Sequence, residues 1–397
     1  MFVNFGHLAF GEFASKAFGF LTTVYLARVL GAEGFGQYSW AMAVYSYLYL
    51  FGNFGFDIIG IRKLAVENNS AIISGVMVLR GMYVVLLVVL VYLLNVVVFK
   101  EPNYLLLLQS ASILLLPFNV QYIFRGLGRG KYDGVYRGTQ AGLFLVLVYL
   151  TIQPDGILTV PMLWFASSAI VSVAAFFFVR KIIPFRFSFP TFETIKTIFR
   201  ESVPVGVAGA LILIYLNFDT IVLGMYVSGY SLGLYSVAFK IYYFGYTILG
   251  LLYVAFLPSL SRYTSAEFSS IRSSYTSLLL MLAVVLATVG TALSTFIIQI
   301  LFGEGYSESI PVLRVLLLSL SAACINSAYL NPLQAVGKDA LFIKLLLGRT
   351  LLFAIVCMVL IPSYGITGAA FATLVAEVCT VGGSVVVYYR VFPKHNV

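Results

Sequence analysis

Charge is scarce in this chain. Asp, Glu, Lys and Arg make up 10% of its 397 residues, against about 25% in a soluble domain, which is too little to build a water-facing surface. Histidine occurs twice, at His7 and His395. Cysteine occurs three times, at Cys324, Cys357 and Cys379, inside apolar runs and never at Cys-x-x-Cys spacing. These shortages exclude a metal centre and a disulfide framework, and no cofactor is expected. Strict apolar–polar alternation is also missing, which excludes an outer-membrane barrel. The chain has no Ser/His/Asp set, no metal-ligand group and no acidic outer-loop pair of the kind a membrane glycosyltransferase needs, so an enzyme is not expected. Lys and Arg (24) exceed Asp and Glu (15), for a net charge of +9. In a soluble protein that surplus suggests nucleic acid. In an apolar chain its simpler source is the basic residues of cytoplasmic loops, and no nucleic-acid partner is expected.

What is present is hydrophobic length. Apolar residues make up 61% of the chain, and the mean hydropathy is +1.00. Runs of about 20 residues, long enough to cross a ~30 Å hydrocarbon core, recur throughout. Twelve are predicted, over 4–29, 36–58, 71–98, 103–123, 135–152, 157–179, 203–227, 232–256, 275–302, 309–334, 340–361 and 366–391. The fold class is therefore an all-α integral membrane protein with twelve transmembrane helices. The first run carries Glu12 and Lys16 with no basic stretch before it, so it reads as the first span and not as a signal peptide.

The loops are asymmetric in charge. Eighteen of the 24 Lys and Arg are counted with the connections after even-numbered segments, among them Arg62, Lys63, Arg125, Arg186, Arg262, Lys338, Lys394 and, inside the start of the next segment, Lys344 and Arg349, whereas only Arg28 and Lys100 are counted with those after odd-numbered ones. The positive-inside bias places both termini in the cytoplasm and the protein in the cytoplasmic membrane. Arg125-Gly126-Leu127-Gly128-Arg129-Gly130-Lys131 lacks the spacing of a phosphate-binding loop and reads as a basic inner loop. The longest break, 180–202, holds Arg180, Lys181, Arg186, Lys196 and Arg200. Its stretch Phe192 to Phe199 has helical apolar spacing and reads as an interfacial linker helix.

One short motif occurs twice. Gly36-Gln37-Tyr38-Ser39 and Gly233-Leu234-Tyr235-Ser236 lie 197 positions apart, and in each copy a further tyrosine, Tyr45 or Tyr242, follows the motif's own by seven residues. A repeat at half-length in an apolar chain points to two similar bundles facing a site. The expected domains are an N-lobe over 1–182 with helices 1–6, a cytoplasmic linker over 183–202, and a C-lobe over 203–397 with helices 7–12, related by a pseudo-two-fold axis.

Ionisable side chains within spans cost about 2.5–3.5 kcal/mol on insertion scales, so each needs a reason. Glu12 and Lys16 are spaced i, i+4, which fits either a self-neutralising pair or a Lys16 that offers its cation to substrate. Asn217 and Asp219 fall in the seventh segment, and Asp219 is a candidate partner for Lys240 in the eighth. Arg80 is placed to snorkel to the inner interface. Arg314 is expected to pair at the rim with Glu304 or Glu308, Glu377 stands alone in the last segment, and Asp57 ends the second beside Arg62. Asn326, Asn331 and Gln334 form a polar stripe suited to interhelical hydrogen bonds. Lys16, Arg80, Lys240, Asn217, Asp219 and Asn326 are the candidate substrate-binding residues. Glu12, Asp57 and Glu377 are candidate coupling or pairing carboxylates, and Arg28 and Arg314 are outer-mouth or structural cations.

Several stretches resemble those of polysaccharide-export flippases, the Wzx-type branch of the multidrug/oligosaccharidyl-lipid/polysaccharide exporter superfamily. They are Ala27-Arg28-Val29-Leu30-Gly31 with Gly34-Phe35-Gly36-Gln37-Tyr38, Asn217-Phe218-Asp219-Thr220 through Gly224, Leu301-Phe302-Gly303-Glu304-Gly305-Tyr306, and Pro362-Ser363-Tyr364-Gly365. The resemblance implies a V-shaped, alternating-access transporter that moves an isoprenoid-diphosphate-linked oligosaccharide from the inner to the outer leaflet. The implied partners are that substrate, membrane lipids and the glycosyltransferases or polymerase of a polysaccharide pathway, with the protein acting as a monomer. Related lipid II flippases carry a cation in the first helix before a Gly-Phe pair, as Lys16 stands here. Their second cation has no counterpart, because Thr22 occupies its place. An exporter of organic cations and a non-transporting scaffold for glycan assembly are the alternative readings.

Overall fold

A computed structural model describes residues 2–67, 69–98, 102–182, 187–261 and 268–392. Of the loop cations, Lys100, Arg186, Arg262 and Lys394 lie outside the described residues. Among the described residues the chain is helical and has no strand. The helices gather into two compact units, one of residues 1–31 and 40–213 and one of residues 32–39 and 214–397.

The first unit holds most of α1 (Phe2–Asn53), together with α2 (Phe56–Val66), α3 (Ser70–Val98), α4 (Tyr104–Ala111), α5 (Gln121–Gly126), α6 (Gly130–Thr151), α7 (Thr159–Ile182) and the start of α8 (Phe192–Tyr226). Asn103 caps α4 by accepting from Leu106 N at 2.9 Å, and its own N–H donates to Asn95 Oδ1 at 2.8 Å. A 3-10 stretch, Ser112–Phe118, continues α4 and contains Pro117, whose missing N–H and ring favour such a change. The apolar core of this unit includes Phe56, Ile59, Ile73, Val76, Tyr122 and Ile123.

The second unit holds the rest of α8 with α9 (Gly229–Leu260), α10 (Phe268–Val285), α11 (Ser294–Phe302), α12 (Ile310–Ala335) and α13 (Asp339–Val391). A π turn, Leu286–Gly290, follows α10. Ser228 caps α9 through its hydroxyl.

Eight helical stretches among the described residues are long and apolar enough to cross a membrane, which differs from the twelve expected. The boundaries differ because several expected segments merge or break. Segments 340–361 and 366–391 both lie in α13, which breaks at Gly365 with φ 53°. The first segment and most of the second share α1, which breaks at Gly31 with φ 67°. Both glycines take a left-handed conformation that an L side chain resists. Segment 36–58 ends instead at Asn53, where Phe54 has φ 30°. Segment 103–123 is divided among α4, the 3-10 stretch and α5. The expected helix over 192–199 is the opening of α8, which runs on through Pro204 to Tyr226.

Candidate functional site

In the first unit, two helix interruptions meet one arginine. α1 stops at Asn53 and α2 starts at Phe56, while the 3-10 stretch stops at Phe118 before α5. Such breaks free backbone groups that lipid cannot satisfy. Arg80, on α3 and fully buried, supplies the donors. Its Nε and Nη2 donate to Asn53 Oδ1 at 3.2 and 2.7 Å, and Nη1 donates to the carbonyls of Leu116 and Asn119 at 3.4 and 2.9 Å. Nη2 also donates to Asp57, forming an ion pair, and Asn53 Nδ2 donates to Asp57 Oδ2 at 2.9 Å. The guanidinium lies 5.0 Å from the centroid of the Tyr122 ring. All five of its N–H donors are thus engaged. Arg80 does not snorkel, and Asp57 pairs with it and not with Arg62, because the helix breaks bring acceptors to it inside the unit.

In the second unit Glu377 is the hub, and it is not alone. Arg349 Nη1 donates to Glu377 Oε1 at 3.2 Å, Tyr215 donates to the same oxygen, and Asn326 Nδ2 donates to Oε2 at 2.7 Å. Ser384 Oγ donates to Asn326 Oδ1 at 3.2 Å, and the Arg349 guanidinium lies 4.0 Å from the centroid of the Tyr215 ring. Tyr242 lies between them, 3.2 Å from the Tyr215 hydroxyl, and Tyr246 accepts from Arg349 at 3.4 Å. Asn326, Arg349 and Glu377 are all buried. Residues 28 apart on one straight helix would be about 42 Å apart, so the Arg349–Glu377 bond requires α13 to fold back at Gly365. Arg349, counted above as a loop cation, is the buried partner of Glu377 that loop counting missed. The repeat carried a usable signal, because the offset of 197 that matches Tyr45 to Tyr242 also matches Tyr49 to Tyr246, a second tyrosine of this cluster.

Asp219, on α8, is fully buried. It accepts from the Tyr235 hydroxyl and from Thr220 N at 2.6 Å. The expected ion pair with Lys240 is not formed, because Tyr235, the motif tyrosine, takes that carboxylate. Lys240, on α9, is half-buried and feels the charge of Asp219. Its ammonium has no hydrogen-bond or ion-pair partner among the described residues. Asn217 is also half-buried without a hydrogen-bond partner among them.

The remaining candidates are more exposed. Lys16 and Glu12 pair at 3.4 Å with both side chains partly open. Arg28 is exposed. Arg314 donates to Ser294 Oγ at 2.9 Å and pairs with neither Glu304 nor Glu308, because Ser294 at the start of α11 lies within its reach. Asn331 donates to Tyr275 at 2.7 Å, an interhelical bond of the kind the stripe suggests. In the basic loop, Arg125 is held by Asp133 at 2.9 Å. Burial pushes the Asp133 carboxyl up and Arg125 pulls it down.

The two motif copies touch. A methyl group added at Gly36 would lie 1.9 Å from the carbonyl oxygen of Gly229, and one at Gly233 would lie 1.9 Å from that of Ala32. Ala32-x-x-x-Gly36 therefore crosses Gly229-x-x-x-Gly233 backbone to backbone, as small residues at four-residue spacing permit.

Comparison with known proteins agrees with this architecture. The family model described as polysaccharide biosynthesis protein matches residues 2–264. The capsular polysaccharide biosynthesis protein CapF of Staphylococcus aureus is 22% identical over 407 residues, covering 99% of this chain and 100% of its own. Among solved structures, the lipid II flippase MurJ in an inward closed conformation superposes with a TM-score of 0.81 at 16% identity, covering 96% of this chain and 87% of that one. An inward-facing multidrug resistance MATE family transporter of the MOP superfamily gives 0.73 at 13% identity, covering 96% of each chain. With two-thirds of its length matched by the family model, the chain belongs to the polysaccharide biosynthesis protein family, and it shares its fold with MurJ and the MATE transporter nearly end to end.

Proposed function

We propose that the chain moves an isoprenoid-diphosphate-linked oligosaccharide from the inner to the outer leaflet of the cytoplasmic membrane by alternating access, for cell-surface polysaccharide assembly. The observation that carries this reading is the unequal state of the charges in the second unit. The carboxylates of Asp219 and Glu377 are spent on Tyr235, Thr220, Arg349, Tyr215 and Asn326. Lys240 keeps a half-buried ammonium without a partner among the described residues, and Asn217 keeps its amide. Among the buried and half-buried charges described there, the spare charge is positive. A diphosphate entering a low-dielectric region needs such a cation, whereas an organic cation would need a free carboxylate.

The name of the capsular relative and that of the lipid II flippase support the same reading. In it, Lys240 and Asn217 of the second unit meet the diphosphate, and Lys16 of the first is the weaker candidate because Glu12 already holds it. Arg80, Asp57, Glu377 and Asn326 keep their helices in register. The enzymes that build and polymerise the glycan are the partners on either side of the step.

Reconstitution of the purified protein in liposomes tests this directly. Exchange of a fluorescent isoprenoid-diphosphate oligosaccharide between leaflets is expected to exceed that of protein-free liposomes, with no efflux of a fluorescent organic cation. The opposite pattern would assign the chain to cation export.

A further inference from the structure

A cavity of about 490 Å³ opens in the first unit, where the end of α2 meets the first turns of α3 and α8. Its charged lining consists of Arg62, Lys63, Glu67 and Glu193, and Asn69, Thr194 and Thr197 add neutral polar groups. Lys63 is committed, since it pairs with Glu201 at 2.9 Å. Arg62, Glu67 and Glu193 are exposed and form no ion pair with one another or with any other described residue. Opposite charges that share a cavity without neutralising each other suit a ligand that carries both signs.

The depth of the cavity narrows the ligand. α3 and α8 are both long and apolar enough to span a membrane, and the cavity is lined by residues of their opening turns, which places it at the level of lipid head groups. Beside it Val66 is 85% exposed and Phe192 74%, and they offer acyl chains an apolar landing next to the charges.

We propose that this cavity holds the head group of a zwitterionic phospholipid, with the phosphate on Arg62 and the ammonium on Glu67 and Glu193. The assignment does not depend on what the protein transports. The test uses the full-length protein, purified and delipidated, and measures retention of phosphatidylethanolamine and phosphatidylglycerol by native mass spectrometry. Phosphatidylethanolamine is expected to be retained in preference to phosphatidylglycerol. Arg62→Gln and Glu193→Gln are each expected to reduce that retention by about tenfold, as loss of one charge-assisted contact implies. The melting temperature of the lipid-free variants should not change, because neither side chain has a partner among the described residues to lose. Equal or better retention of phosphatidylglycerol would overturn the assignment. So would equal retention by the variants. Saturation by free O-phosphoethanolamine as tight as that by the lipid would overturn it in favour of a soluble ligand.

Discussion

Arg80 illustrates how a single residue supports the fold of a membrane protein. It ties the end of α1 to the break after the 3-10 stretch, and all its donors go to protein acceptors. Arg80→Met would leave Asp57 a half-buried carboxylate without its ion-pair partner and free the Leu116 and Asn119 carbonyls, at a cost of about 3 kcal/mol, the low end for a broken pair because Asp57 is partly open. The expected outcome is a clear loss of folded protein and of melting temperature in detergent. Arg80→Lys should not rescue it, since a point charge cannot reproduce the fork. Glu377 gives a second prediction. Glu377→Ala leaves Arg349 unpaired in the interior, so the double variant Glu377→Ala/Arg349→Leu should melt above the single one, a non-additive result that identifies direct contact. These pairs were not legible in the sequence. Asp57 and Arg80 are 23 residues apart and Arg349 and Glu377 are 28 apart, separations with no periodic signature, whereas the i, i+4 pair of Glu12 and Lys16 was readable because local helix geometry alone creates it.

Helices were legible as apolar runs, and their interruptions were not. Hydrophobic length is set by the bilayer, so it stands out in composition, but a break such as that at Phe54 depends on Arg80 arriving from another helix. The repeated motif is the exception, because small residues at spacing four carry their own reason. Gly36→Ala and Gly233→Ala each drive a methyl group into a backbone carbonyl, and each is expected to abolish most of the folded yield. Gly19→Ala and Gly250→Ala, where a methyl group meets no atom within 4 Å, should leave yield unchanged. Size-exclusion profiles of the four variants check this. Equal behaviour of both pairs would remove the crossing from the account.

For the whole molecule, the distribution of basic loops predicts sidedness. In a background with its native cysteines replaced, Ser307→Cys on the segment before α12 should react with an impermeant maleimide in intact cells. Lys131→Cys, on the basic loop at the start of α6, should react only after permeabilisation. The family and the fold follow from features spread along the entire chain, which is why composition and motif order reached them. The proposed site does not, because it rests on which half-buried charge of the second unit lacks a partner once the others have paired. Among the described residues that charge is Lys240, which unlike Arg272 has no aromatic ring against it either, and in the proposed function its ammonium accompanies the diphosphate. The most direct measurement is the initial rate of leaflet exchange of the fluorescent lipid-linked oligosaccharide in liposomes, for wild type, Lys240→Ala and Lys240→Arg at matched protein incorporation. Exchange reduced at least about tenfold in Lys240→Ala, the effect of losing one charge-assisted contact, and largely restored in Lys240→Arg is the predicted result. Wild-type exchange in Lys240→Ala would contradict it.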